Sequence, residues 1–259
     1  MMMMSAEKTI RAQARAVLRG GWMKAIFAMI MVLLGAAFVD CISSVITLIY
    51  FELDLDMLWV DVLYYSVIVL VDFTAFFLIS PIINGYIRMF YRGATNNLYH
   101  VEDLFYYFQN HHYGKALSIN ISFILRMLLP TLIAFIPVIA FNIFCSVSEV
   151  ELQVTAFFNF ILSILSSLIV LLWSFKYFLV YVYAVDFEYL STSELFRSSK
   201  RMMKGKTGLV SKLFFSFWPW LLLSLTVLPI LYTGPYITQA MCICAKWSAR
   251  SESTFTQEG

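Results

Sequence analysis

The sequence predicts an all-α membrane protein of about six transmembrane helices, joined by three short cytoplasmic-side amphipathic helices. Three observations carry that expectation. The 259-residue chain is 61% hydrophobic and only 13% charged, whereas a soluble domain carries about 25% charged residues. Its apolar residues come in long blocks, and a helix needs ~20 such residues to cross a bilayer. Its lysines and arginines gather in a few connections, separated by connections that hold none. That asymmetry is the one that orients helices in a membrane.

Residues 1–21 form an N-terminal basic amphipathic segment. From Glu7 onward Lys8, Arg11, Arg15 and Arg19 recur on one helical face, with Ile10, Ala14, Val17 and Leu18 opposite. A helix built this way lies in the plane of a membrane surface. Arg11 and Arg15 are therefore candidate contacts to anionic lipid. Gly20 and Gly21 break the helix, and Trp22 suits an interfacial anchor. The segment has no small-residue cleavage site, so it is expected to be retained.

Residues 22–247 form the polytopic membrane domain, and 248–259 a polar C-terminal tail. Spans are expected at about 22–50, 62–90, 116–144, 155–185, 209–227 and 230–247. Pro81 should kink or end the second, and Gly234 with Pro235 should interrupt the last. Between the second and third, Glu102 and Asp103 suit the first turn of an aromatic surface helix that Gly114 stops.

The most cationic run is 191–208. Ser191 three residues before Glu194 has the form of a capping box, which starts a helix. At ~100° per residue, Arg197, Lys200, Arg201 and Lys204 share one face, and Leu195, Phe196, Met202 and Met203 the other. Gly205 and Gly208 suit the stop and the turn after it. These four cations are the strongest candidates for contact with lipid headgroups or another anion.

The connections around Glu52, Asp54, Asp56 and Asp61, at 146–151 and at Pro229 hold no Lys or Arg. The other connections and both ends hold nearly all of them. Both termini are then cytoplasmic. A five-span layout, or a re-entrant last segment, would put the tail outside, and Lys246 and Arg250 argue against it. A surface helix, a glycine and a hairpin of spans recur three times along the chain. That layout suggests a threefold pseudo-repeat.

Asp40 and Asp72 lie well inside the first two spans, and Arg126 and Lys176 inside the third and fourth. A charge near the bilayer centre costs at least ~2.5 kcal/mol. Two readings compete. In one the four charges line a polar path; in the other the bases snorkel to the interface and the two aspartates face each other across the first hairpin, one of them protonated.

Cys41, Cys145, Cys242 and Cys244 sit in or beside apolar blocks and read as small buried residues. Adjacent His111 and His112 point apart by ~100° on a helix and do not suit one metal ion. Small residues at Gly35, Ala36 and Ala37, and at 163–167, suit close helix approach. The chain has no P-loop, dinucleotide fingerprint, HExxH or GxSxG. No enzyme, cofactor, metal or nucleic-acid partner is expected.

Lys176, Tyr177, Asp186, Glu194, Phe196, Ser199, Lys200, Met203, Lys204 and Gly205 follow a pattern in which a basic-aromatic helix end leads through an Asp to a basic helix. With Arg11, Ala14, Arg15, Leu18 and Trp22, and with Pro235 and Tyr236, this resembles a family of bacterial integral membrane proteins catalogued as domain of unknown function 975. The resemblance implies a multi-span protein of the bacterial inner membrane and no reaction. The function expected is a non-enzymatic membrane module that binds anionic lipid, or a partner protein, through its basic interfacial helices. The alternative is a transporter or permease-like protein using the intramembrane charges.

Overall fold

The computed structural model describes residues 6–53, 58–109, 112–148, 152–223 and 227–253. Every regular element among them is a helix. Asp54, Asp56, His111, Glu149, Glu151 and the end of the tail from residue 254 lie outside the described residues.

Four helical stretches are long and apolar enough to cross a membrane: Trp22–Glu52, Trp59–Asn96, Tyr113–Ser148 and Gln153–Asp186. They coincide with the first four expected spans. The fifth expected span is instead two short helices. The sixth is one 27-residue helix, which runs straight through Gly234 and Pro235 rather than breaking there. In it Thr233 and Thr238 bond back one turn, to the carbonyls of Pro229 and Gly234.

The chain divides into two compact units, Met1–Leu117 with Ser216–Lys246, and Ser118–Phe215 with Trp247–Gly259. In the first, α1 (Ala6–Leu18) buries Ile10, Ala14 and Leu18, a stripe at i, i+4, i+8. This apolar face is spent on the protein rather than left for a membrane surface, while Arg15 and Arg19 stay exposed. Helices α2 (Trp22–Leu53) and α3 (Leu58–Asn96) make a long antiparallel hairpin. At ~1.5 Å per residue, the 39 residues of α3 run to about 58 Å, well beyond the ~30 Å hydrocarbon core.

Pro81 neither ends α3 nor leaves it short of a hydrogen bond. Proline at 81 has no N–H for the carbonyl four residues earlier, that of Phe77. The Tyr113 hydroxyl takes that role, donating to the Phe77 carbonyl at 3.0 Å. Asn97, at φ 56°, ends α3, and the chain returns through a 3-10 helix, Val101–Phe108, where an α-helix was expected.

Tyr99 ties this unit together. Its hydroxyl donates to Gln239 Oε1 at 2.7 Å, and its carbonyl accepts from Lys24 Nζ at 2.9 Å. Its ring fills the space above Gly21 and Gly93, where an added Cβ would come within 2.1 and 2.5 Å of ring carbons. Trp22 stacks on Tyr232 at 4.5 Å between ring centroids.

The second unit contains most of α4 (Tyr113–Ser148) together with α5 (Leu152–Ser174), a short 3-10 turn Phe175–Tyr177, α6 (Val180–Asp186), α7 (Thr192–Met202) and α8 (Thr207–Phe215). Inside it Asn142 and Asn159 exchange side-chain hydrogen bonds at 3.0 and 2.9 Å. Ser166, within the expected small-residue stretch, is buried and donates to the Ala134 carbonyl at 2.6 Å. The other such stretch finds no use among the described residues: Ala36 and Ala37 are exposed, and nothing lies within 4 Å of a Cβ built on Gly35. The last two elements, α9 (Trp218–Leu223) and α10 (Val227–Ser253), follow, α9 and most of α10 belonging to the first unit.

Candidate functional site

Helix α7 begins where the capping box places it. The Ser191 hydroxyl accepts from the Glu194 N–H at 3.4 Å, and the Ser191 N–H donates to the Glu194 carboxylate at 2.9 Å. The same hydroxyl also lies 2.7 Å from that carboxylate. This side-chain bond, and then the backbone one, hold the Glu194 pKa below its ordinary value. The helix ends at Met203, and Gly205 supplies the left-handed turn at φ 82°.

Most of the apolar face of α7 is internal. Leu195 and Met203 are 0% exposed and Phe196 is 2% exposed. Phe196 meets the Tyr177 ring edge-on, the Tyr183 hydroxyl points at the Met202 sulfur, and Ser199 donates to the Lys176 carbonyl at 3.1 Å. The helix is thus fastened to the turn after α5 and to α6. Of its apolar face only Met202 is partly exposed. What it presents is its basic face, with Arg197, Lys200, Arg201 and Lys204 all exposed.

Those four cations and Lys176 line one recess of about 570 Å³. Met203, Gly205 and Thr207 complete it. Among the described residues, no carboxylate lines it. Lys200, Arg201 and Lys204 stand at the C-terminal end of α7, where the helix dipole is negative and favours cations. Lys176 reaches the recess with its ammonium 3.1 Å from the centre of the Trp173 ring, a contact that stabilises a partly desolvated charge. The set suits an anion: arginine offers paired donors in a plane and lysine a compact charge.

The other expected charges have different surroundings. Arg126 donates to the Ser122 carbonyl at 3.1 Å and lies over the Phe196 ring at 4.2 Å, on the buried side of α7. Asp40 and Asp72 are both on exposed helix faces. Arg11 is drawn into an aromatic group, with its guanidinium 5.2 Å from the centre of the Phe217 ring and 3.5 Å from the Tyr236 hydroxyl, while Arg15 is exposed. Of the intramembrane set, Lys176 alone lines the recess of the α7 cations.

One charged cluster escaped the reading of the sequence. Asp103 is 4% exposed and accepts from Arg92 at 2.9 Å and from Arg88 at 3.3 Å, Arg88 itself being 5% exposed. Arg88 also lies over the Tyr106 ring at 3.4 Å. The i, i+4 spacing of Arg88 and Arg92 was the available signal, since it puts both on one face of α3. His112 is engaged by the same segment, 3.0 Å from the Tyr106 hydroxyl. Cys145, Cys242 and Cys244 are buried as expected, whereas Cys41 is exposed.

Four helical stretches long and apolar enough to cross a bilayer are consistent with a multi-pass membrane protein. A family of proteins of unknown function, DUF975, matches residues 2–244, and the chain belongs to it. No curated protein and no solved structure matches the chain.

Proposed function

We propose that this protein is a non-enzymatic module of the bacterial inner membrane that binds anionic phospholipid through the basic face of α7. The observation that carries this reading is the division of labour on α7: most of its apolar side is consumed by internal packing, and its four cations are left exposed around one recess. In this reading the fifth and sixth segments also cross, giving six spans, with both termini and all three surface helices on the cytoplasmic side. The recurrence of helix, glycine and hairpin is kept as a threefold pseudo-repeat. Reporter fusions placed after residues 56 and 206 test the orientation, the first expected outside and the second inside.

Near a membrane surface each cation contributes ~1 kcal/mol to attraction for anionic lipid. Replacing Arg197, Lys200, Arg201 and Lys204 by glutamine, one at a time, is expected to lower affinity for anionic lipid about fivefold per step. The effect should shrink as salt rises. Salt-independent binding that survives all four replacements refutes the reading. Transport along Asp40, Asp72, Arg126 and Lys176 is the weaker alternative, because both aspartates sit on exposed helix faces.

A further inference from the structure

We propose that the recess beside α7 selects a phosphate group carrying close to two charges or more, a phosphomonoester or a diphosphate, and that Lys176 confers the selectivity. This rests on the reading of α7 as an anion contact and narrows it to one chemical class. A basic helix lying against a membrane responds to net charge and scarcely to headgroup chemistry. This one does not stand alone. Lys176 comes from the turn after α5, and its backbone carbonyl is the group that Ser199 of α7 binds. The same residue therefore fastens the helix and supplies a charge from a second direction.

Charge balance argues for a polyanion. Among the described residues, five cations line the recess and no carboxylate does. The nearest acid on α7, Glu194, is committed to Ser191 at the opposite end of the helix. A phosphodiester headgroup brings one negative charge and leaves most of the cluster uncompensated. A phosphomonoester brings roughly 1.5 to 2 charges at neutral pH, with three oxygens open to donors. Arg197, Arg201 and Lys204 follow one another at helical neighbour spacing, about 5–6 Å between Cβ atoms. That is the reach of a group with several phosphate oxygens. The volume of about 570 Å³ falls among headgroup-sized and small-molecule pockets. Lipid headgroups and soluble phosphates share this chemistry.

The test uses the full-length protein in uncharged detergent, titrated by calorimetry with dioctanoyl phosphatidic acid, dioctanoyl phosphatidylglycerol and inorganic pyrophosphate. Phosphatidic acid is expected to bind at least fivefold more tightly than phosphatidylglycerol. Lys176→Ala should bring that ratio close to one, weakening phosphatidic acid more than phosphatidylglycerol, and it keeps the carbonyl that receives Ser199. Lys200→Gln serves as a second variant if Lys176→Ala does not fold, and it should reduce the same ratio. Pyrophosphate binding more tightly than phosphatidic acid assigns the site to a soluble phosphate; the reverse order assigns it to lipid. Both orders support the proposed chemistry. Equal binding of the two lipids, unchanged by Lys176→Ala, overturns this proposal and leaves the broader lipid reading intact. No binding of any of the three probes overturns both.

Discussion

The carbonyl of Leu104 occupies the place where Gly85 would carry a side chain: a Cβ there would lie 2.1 Å from that oxygen. The 3-10 helix thus rests directly on the backbone of α3, at the one position where no side chain keeps it off. Because the obstruction is backbone, it has no rotamer to yield. Gly85→Ala is expected to destabilise the protein by about 1–3 kcal/mol, the usual range for overpacking. Gly35→Ala is the matched control, since nothing lies within 4 Å of its added Cβ. Thermal unfolding in detergent should separate the two clearly, and equal midpoints contradict the close approach.

Asp103 bridges two arginines of α3 from within that same 3-10 helix. Removing one member of a buried ion pair costs about 3–5 kcal/mol, because a charge stays behind without its partner. Asp103→Ala is expected to fall in that range and to loosen the return loop. Arg92, with a side chain 45% exposed, contributes far less; its replacement by glutamine should cost no more than about 1 kcal/mol. Limited proteolysis at residues 97–109 measures both, and an Asp103→Ala protein as resistant as wild type rules the clamp out.

Ser191→Ala removes the cap of α7 and should destabilise that helix by about 1 kcal/mol. The cap also makes the helix sensitive to acid. Glu194 has a folded pKa below its unfolded value of about 4.3. Its contribution is therefore complete above the unfolded pKa and fades as pH falls through the lower, folded one. Hydrogen exchange in 192–196 should quicken in wild type as pH drops below about 4, beyond the intrinsic trend. Ser191→Ala should show a smaller extra step, because the backbone N–H of residue 191 still reaches the Glu194 carboxylate.

Asn142 and Asn159 hold each other across the α4–α5 hairpin with two bonds. Hydrogen bonds between membrane helices average about 0.6 kcal/mol, with an upper value near 1.7 kcal/mol. Either Asn→Leu change alone strands the other amide, so each single variant should lose more than half of what the pair is worth. Replacing both should cost less than the two losses taken together. Strict additivity in that cycle speaks against the pairing.

How much of this was visible in the residues depended on the range of the interaction. The cap of α7 needed only Ser191 and Glu194, three positions apart, and it formed as the spacing predicts. The first four spans announced themselves by unbroken apolar length. The basic face was legible for the same local reason. Its destination was not: periodicity reveals that Leu195, Phe196 and Met203 share a side, and not whether lipid or protein covers it. Here all three are buried in protein, with Tyr177 against Phe196. Lys176 was read as one of four intramembrane charges, and only the fold places it with the α7 cations. Pro81 was read as a kink or an end, because Tyr113, which satisfies the Phe77 carbonyl that proline frees, lies 36 residues from Phe77. Asp103 looked like an ordinary first-turn acid until Arg88 and Arg92 came into contact with it.

The bond between Tyr99 and Gln239 joins residues 140 positions apart. Synthesis proceeds at about 5–20 residues per second, so the two are made roughly 7–28 s apart. Throughout that interval the nascent chain carries Tyr99 and the glycines beneath it without the partner that closes over them, while all of 118–215 emerges in between. The last long helix is therefore also the last step of assembly for the unit that contains the N-terminus. Ribosome-bound chains arrested before Gln239 should be cut by protease near Tyr99, and released full-length chains should not. Equal cleavage of both would show that the first unit closes without its final strut.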